Sequence, residues 1–136
     1  MNKILVDTNA WIALNNKNDQ FHSRAVSLNK ELINKGYKFI TTNFILDETY
    51  TGLLMKVSHY SATDFGERVR SSKLLSVFKI EDFIENSAWE IFKKYSDKQF
   101  SYTDCTSFAL MKYMNIDTAF TNDHHFEQFG FISLLK

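Results

Sequence analysis

The sequence predicts an α/β fold in which a mostly parallel sheet is covered by helices on both faces. Three observations carry that expectation. Short apolar runs suited to buried strands alternate with stretches of helical spacing, the pattern of a parallel sheet whose crossovers are helices. The 136 residues hold no proline, no Ser/Gly-rich linker and no repeat, so residues 1–136 are expected to form a single domain. Hydrophobic residues make up 44% of the chain and include thirteen Phe, enough for a sizeable core and unlike a disordered segment.

Each element follows in order. Ile4 to Val6 read as a short buried strand, and Thr8 to Leu14 as the helix after it. From Asp19 to Lys35, Phe21, Ala25, Leu28 and Leu32 recur at spacings of four, three and four, one face of an amphipathic helix. Gly36 supplies its stop. Lys38 to Thr41 read as a strand and Asn43 to Val57 as a helix capped by Asn43. Ser61 to Ser72 form a further helix opened by Ser61, and Leu74 to Ile80 a strand. Asp82 to Tyr95 return to helical spacing through Ile84, Ala88, Ile91 and Tyr95. Thr103 to Met114 are helical, Thr118 to Thr121 a strand, His124 to Gln128 a turn or two of helix, and Phe131 to Leu135 the last strand.

Sixteen basic and sixteen acidic residues cancel, so no global charge draws the chain to nucleic acid. The three Arg are Arg24, Arg68 and Arg70. Arg68 and Arg70, with Lys73, form the nearest thing to a basic patch. If RNA binds, their face is the expected contact; otherwise they are a solvated helix surface. No apolar run approaches a membrane span, and residues 1–14 do not form a signal peptide because Asp7 interrupts the apolar stretch. A single cysteine, Cys105, excludes an internal disulfide and fits a reducing compartment. A cytoplasmic location is expected.

Asp7 poses the functional question, because a buried-looking strand ends on a charge. An ordinary answer is that it caps the following helix. Sites in open α/β sheets, however, form at the carboxyl ends of strands, and Asp7 and Asp123 both sit at such ends. Two further acids stand in apolar surroundings. Asp104 opens a helix, where the dipole favours an acid, and Glu48 lies within a largely apolar helix. Carboxylates gathered in one place repel unless something neutralises them. A hard divalent cation such as Mg²⁺ or Mn²⁺ does so through oxygen ligands. It would also activate water and stabilise charge at a phosphodiester.

The segments VDTNAWIAL, TTNFILDETYTGLL, SYTDCTSFALM and AFTNDHHFEQFGF together resemble the PIN-domain nucleases, in particular the compact prokaryotic VapC toxin type. The resemblance runs from Ile4 to Phe131. It implies a PIN-like (Rossmann-like) three-layer α/β/α sandwich and a Mg²⁺- or Mn²⁺-dependent endoribonuclease leaving a 5′-phosphate and a 3′-hydroxyl. It further implies a frequent homodimer and an antitoxin protein as partner. Asp7, Glu48, Asp104 and Asp123 match the family's acids, expected to hold metal and position the attacking water. Thr8 or Asn9, Thr121 and Ser101 match small polar positions that orient acids or waters. Of the neighbours Asp47 and Glu48, which point ~100° apart on a helix, the register favours Glu48. Gly52, one turn on, is expected to leave room for metal and waters.

The remaining residues carry plainer readings. His22, His59, His124 and His125 match no zinc spacing, and neighbouring His124 and His125 are not expected to share an ion. Phe126 reads as core. Cys105 lacks a paired base and reads as a small core residue. Asn9 stands where a haloacid-dehalogenase-type phosphatase needs a second Asp, and no phosphate-binding glycine motif occurs. Trp11 and Trp89 read as core or interface. The rival from another class is a non-catalytic RNA-binding or protein-assembly module on the same fold. A phosphatase acting on a small phosphate ester is a third reading.

Overall fold

The computed structural model describes residues 2–136. The elements are β1 (Lys3–Val6), α1 (Thr8–Asn15), α2 (His22–Asn34), β2 (Lys38–Thr42), α3 (Asn43–Lys56), α4 (His59–Ser71), β3 (Leu75–Phe78), α5 (Asp82–Lys94), α6 (Tyr102–Met114), β4 (Thr118–Phe120), α7 (His124–Phe129) and β5 (Ile132–Ser133). The five strands pair in parallel throughout, in the order β3-β2-β1-β4-β5. Among the described residues no helix is long and apolar enough to cross a membrane.

Strand alternation builds the three layers. On β1, Ile4 and Val6 point to one face and pack with Ala10, Ala25, Leu28 and Leu32 of α1 and α2. Leu5 points to the other, where Ile40 and Ala119 of the neighbouring strands meet Ile84, Ala88 and Phe108 of α5 and α6. Both faces are buried along β1, β2 and β4, which is why those strands read as near-continuous apolar runs, while the edge strands β3 and β5 are partly exposed. α1, α3 and α4 form a third cluster around Leu53 and Phe65. In α6, every residue from Asp104 to Met111 is buried, as expected of a helix enclosed on all sides.

The boundaries move where two polar neighbours compete for a role. Thr42, not Asn43, caps α3 by accepting from the Ile45 N–H, while Asn43 Oδ1 accepts from the Ile80 N–H at 2.7 Å. Ser58, not Ser61, caps α4, which therefore starts at His59. α2 starts at His22 because the Asp19 carboxylate closes a turn onto the Phe21 N–H (2.8 Å). Gly36 ends that segment at φ +80°, a conformation open to glycine without strain. β5 is cut to two residues.

Candidate active site

The sheet order supplies the crevice. From β1 the chain runs outward to β2 and β3, then returns to the other side of β1 with β4. Strands whose connections part in opposite directions leave an opening at their carboxyl ends. Val6 lies opposite Phe120, and the Asp7 N–H donates to Phe120 O at 3.1 Å. Asp7 and Thr121, just past the two strand ends, therefore meet: Thr121 Oγ1 donates to Asp7 Oδ2 at 2.9 Å.

Asp7 is the residue before α1, yet its side chain makes no capping bond to that helix. Its Oδ2 instead also accepts from Asn9 Nδ2 at 3.0 Å. Asn9 Nδ2 reaches Thr121 Oγ1 as well (2.8 Å), and Asn9 Oδ1 accepts from the Asn122 N–H (2.9 Å). The β4 end is thus tied to the β1 end through side chains more than a hundred positions apart. Thr121 Oγ1 also accepts from the Asp123 N–H at 3.0 Å, which fixes the turn carrying the next acid. The Asp123 carboxylate caps α7 by accepting from the His125 N–H (2.9 Å).

Asp104 arrives from the other side at the start of α6, in a capping box. Ser101 Oγ accepts from the Asp104 N–H at 3.0 Å, and Asp104 Oδ2 accepts from the Ser101 N–H at 3.1 Å. The ordinary role of an acid in a first helical turn is therefore filled, by a side chain that also faces the cleft. Glu48 comes from α3, and Thr8 Oγ1 donates to its Oε1 at 3.0 Å. Asp7, Glu48, Asp104 and Asp123 line one cleft of about 360 Å³ with Thr8, Asn9 and Ser101. Asp47 and Glu48 are both exposed, and only Glu48 is among the lining residues.

Several expectations are corrected. Arg68 and Arg70 do not share a face, because two positions on a helix are ~200° apart. Arg68 pairs with Asp64 (3.0 Å) and donates to Asn15 Oδ1, while Arg70 donates to the Tyr50 hydroxyl (3.1 Å). Neither lines the acid cleft. Gly52 does not make room for an ion: a Cβ there would come within 2.6 Å of Ile12 Cδ1, so its smallness admits Ile12 between α1 and α3. Trp11 packs on Phe65 (ring centres 5.3 Å) and donates to Thr41, as a core residue does. Of the two readings for Trp89, core or interface, its half exposure leaves the interface.

His125, Lys56, Gln99 and a fifth acid, Asp19, line the cleft and were not foreseen. His125 Nδ1 lies 3.2 Å from Asp104 Oδ2 and 3.2 Å from Asp123 Oδ1. Adjacency does not separate His124 and His125 from a common ion. Because Asp123 caps α7, its carboxylate folds over the first turn, and ligand atoms of Asp123, His124 and His125 lie within 4.8 Å of one another. The legible signal was a His two residues after an acid that caps a helix. For Lys56 it was the spacing of eight from Glu48, the same face of α3.

Electrostatics bear out the strain of grouping acids. Burial pushes the Asp7 carboxyl up to about 7; the Asp104 and Asp123 charges add to this, against the Thr8 backbone and the Thr121 hydroxyl. Asp104 is also raised, first by burial and then by the charge of Asp123. Burial pushes the Cys105 thiol up to about 11, leaving no thiolate to act as a nucleophile. Buried carboxyls that resist ionisation beside one another, with oxygen donors on several sides, suit a hard divalent cation. A larger cleft of about 490 Å³ between α3 and α4, lined by Tyr50, Leu54 and Arg70, holds one carboxylate, Glu67, and so lacks any such grouping.

A fold with this strand order and an acidic crevice at its switch point is that of a known family. The PIN domain model matches residues 4–132, and the chain belongs to the PIN domain family. Within it, the chain is 32% identical over 131 residues to the 23S rRNA-specific endonuclease VapC20 of Mycobacterium tuberculosis (strain ATCC 25618 / H37Rv), covering 96% of this chain and 97% of that one. The crystal structure of Mycobacterium tuberculosis VapC20, a Sarcin-Ricin loop cleaving toxin, superposes with a TM-score of 0.87 at 30% identity, covering 98% of this chain and 99% of that one. VapBC2 from Rickettsia felis, bound to a DNA fragment from its promoter, shares the fold at a TM-score of 0.72 and 16% identity, covering 97% of each chain.

Proposed function

We propose that this chain is a single-domain, Mg²⁺- or Mn²⁺-dependent endoribonuclease, the toxin of a toxin–antitoxin pair, acting in the cytoplasm. The observation that carries the reading is the convergence of Asp7, Glu48, Asp104 and Asp123 on one cleft at the switch point of the sheet. The VapC20 relatives, named as a 23S rRNA-specific endonuclease and as a toxin, support RNA as substrate and the role of a toxin.

Asp7, Asp104 and Asp123 would hold the cation, and Glu48 would act on one of its waters. Asn9 and Thr121 keep Asp7 Oδ2 fixed while Ser101 does the same for Asp104. When bound, the cation eases ionisation of water and stabilises the extra negative charge on phosphorus. Glu48 uses Oε1 for the Thr8 hydroxyl and offers Oε2 to the attacking water as a proton acceptor. The water oxygen bonds to phosphorus as its proton passes to Glu48, the bond to the 3′ oxygen breaks, and that oxygen takes a proton from solvent, leaving a 3′-hydroxyl and a 5′-phosphate. Lys56, in the same cleft, meets a flanking phosphate. The decisive experiment compares wild type and Asp104→Asn on total RNA with Mn²⁺, Mg²⁺ or chelator. Cleavage is expected from wild type with an ion and from neither protein in chelator. Equal cleavage by the variant would defeat the mechanism.

A homodimer belongs to this reading. On α5, Glu85, Trp89 and Phe92 follow at spacings of four and three, one stripe of the helix. Trp89 stacks on Phe92 (5.9 Å), Phe92 meets Tyr102 edge-on (5.8 Å), and Tyr102 meets Phe44 (6.2 Å). The first turn of α5 carries Asp82 and Glu85, and the last carries Lys93 and Lys94. Two copies of α5 crossing antiparallel at Trp89 would set each acidic end on the partner's basic end, the self-complementarity a two-fold interface requires.

A further inference from the structure

His125 puts a nitrogen able to ligate a metal into a cleft whose anionic donors are all carboxylate oxygens, and whose other charged nitrogen, the Lys56 ammonium, has no lone pair to offer. The first turn of α7 carries it, and the edge of its ring packs against Phe100 with centres 5.5 Å apart. Its Nδ1 sits 3.2 Å from each of two acids that come from different elements, Asp104 of α6 and Asp123 before α7. Neighbouring ligands on one octahedral ion, at metal distances of ~2.1 Å, lie about 3 Å apart. The spacing around Nδ1 therefore suits neighbouring ligands on one ion as well as it suits hydrogen bonds to the two acids.

We propose that His125 Nδ1 ligates the cation beside Asp104 and Asp123, and that the cleft thereby selects a nitrogen-accepting ion such as Mn²⁺ or Co²⁺ over Mg²⁺. The inference rests on the metal-dependent reading above and decides between the ions it leaves open. Mg²⁺ is a small, hard ion that favours oxygen and keeps its waters. Imidazole favours the transition ions, and affinity at such sites rises from Mn²⁺ towards Co²⁺. The competing role for His125 is a clamp, in which Nδ1–H only holds the two carboxylates and all metal ligands are oxygens. The two roles differ in what asparagine can replace. His125→Asn keeps an N–H donor close to the place of Nδ1 but brings no nitrogen lone pair.

The test uses the full chain without RNA, titrated separately with Mg²⁺, Mn²⁺ and Co²⁺. Melting temperature reports affinity, and pulsed electron paramagnetic resonance of the Mn²⁺-loaded protein reports nitrogen-14 coupling. Wild type is expected to bind Mn²⁺ more tightly than Mg²⁺ and to show the coupling. His125→Asn is expected to weaken Mn²⁺ and Co²⁺ binding by at least about tenfold, since losing even a residue that only supports a ligand costs a metal site that much, while changing Mg²⁺ little and abolishing the coupling. An unchanged ratio of Mn²⁺ to Mg²⁺ affinity in the variant overturns the proposal, as does a wild-type spectrum without nitrogen coupling. If the variant is unfolded, the wild-type spectrum decides alone. Failure of all three ions to bind wild type would bring down the metal-dependent reading too, whereas binding without nitrogen coupling removes only the role of His125.

Discussion

Asp7→Asn should stabilise the metal-free protein at alkaline pH while removing its activity. The Asp7 carboxyl is pushed from an ordinary value of 3.8 to about 7, chiefly by burial. At 1.36 kcal/mol per unit, holding it ionised in the folded state costs about 4 kcal/mol. The sign follows from proton counting. Between pH ~4 and ~7 the unfolded chain has released a proton that the folded chain retains, so stability falls as pH rises through this window and levels off above it. Asparagine never ionises, and its carbonyl oxygen can still accept from Asn9 Nδ2 and Thr121 Oγ1, which now converge on Asp7 Oδ2. In chelator at pH 8 the variant should therefore melt roughly 10 °C above wild type, taking ~3 °C per kcal/mol for a chain of this size. At pH 4 the two should coincide. Mn²⁺, which binds the folded form, should raise the wild-type melting temperature at pH 8 and the variant's far less. Melting scans at both pH values, with chelator and with Mn²⁺, measure all of this. A variant that melts below wild type at pH 8, or a difference that persists at pH 4, would refute the reasoning.

Two further outcomes are expected. Glu48→Gln should cut RNA cleavage by about a hundredfold or more, as loss of a general base does, and Asp47→Asn by less than about twofold; equal losses in single-turnover assays would show that the face of α3 is misassigned. Trp89→Glu should halve the wild-type mass by light scattering, with the melting temperature of the subunit kept, because Trp89 is half exposed; a dimer that survives the change places the interface elsewhere.

The sequence determined what depends on local periodicity and on the chemistry of single residues. Strand and helix spacings are set within a few positions, so the alternation that makes a parallel sheet, and hence acids at its carboxyl edge, was legible. Asp7 and Asp123 stood out because each follows an apolar run at the carboxyl end of an expected strand, where sites form, although a helix cap was the ordinary alternative and Asp123 does fill that role as well. Glu48 and Asp104 needed the resemblance, since either acid on its own fits an ordinary helix. Tertiary structure decided what depends on partners distant in the chain. Only the order β3-β2-β1-β4-β5 brings Thr121 onto Asp7. Asn43 gave up its cap to Thr42 because the Ile80 N–H claimed its side chain. Gly52 read as space for an ion, but its helical face meets α1, and Ile12 fills that space. Arg68 and Arg70 read as a patch in one dimension and were separated by the turn of the helix. His125 was hidden by its neighbour His124, and only the fold shows its Nδ1 between two acids. A local pattern can specify a backbone and say which groups are costly to bury, but what relieves that cost is a contact across the fold, and such contacts exist only once the chain has closed.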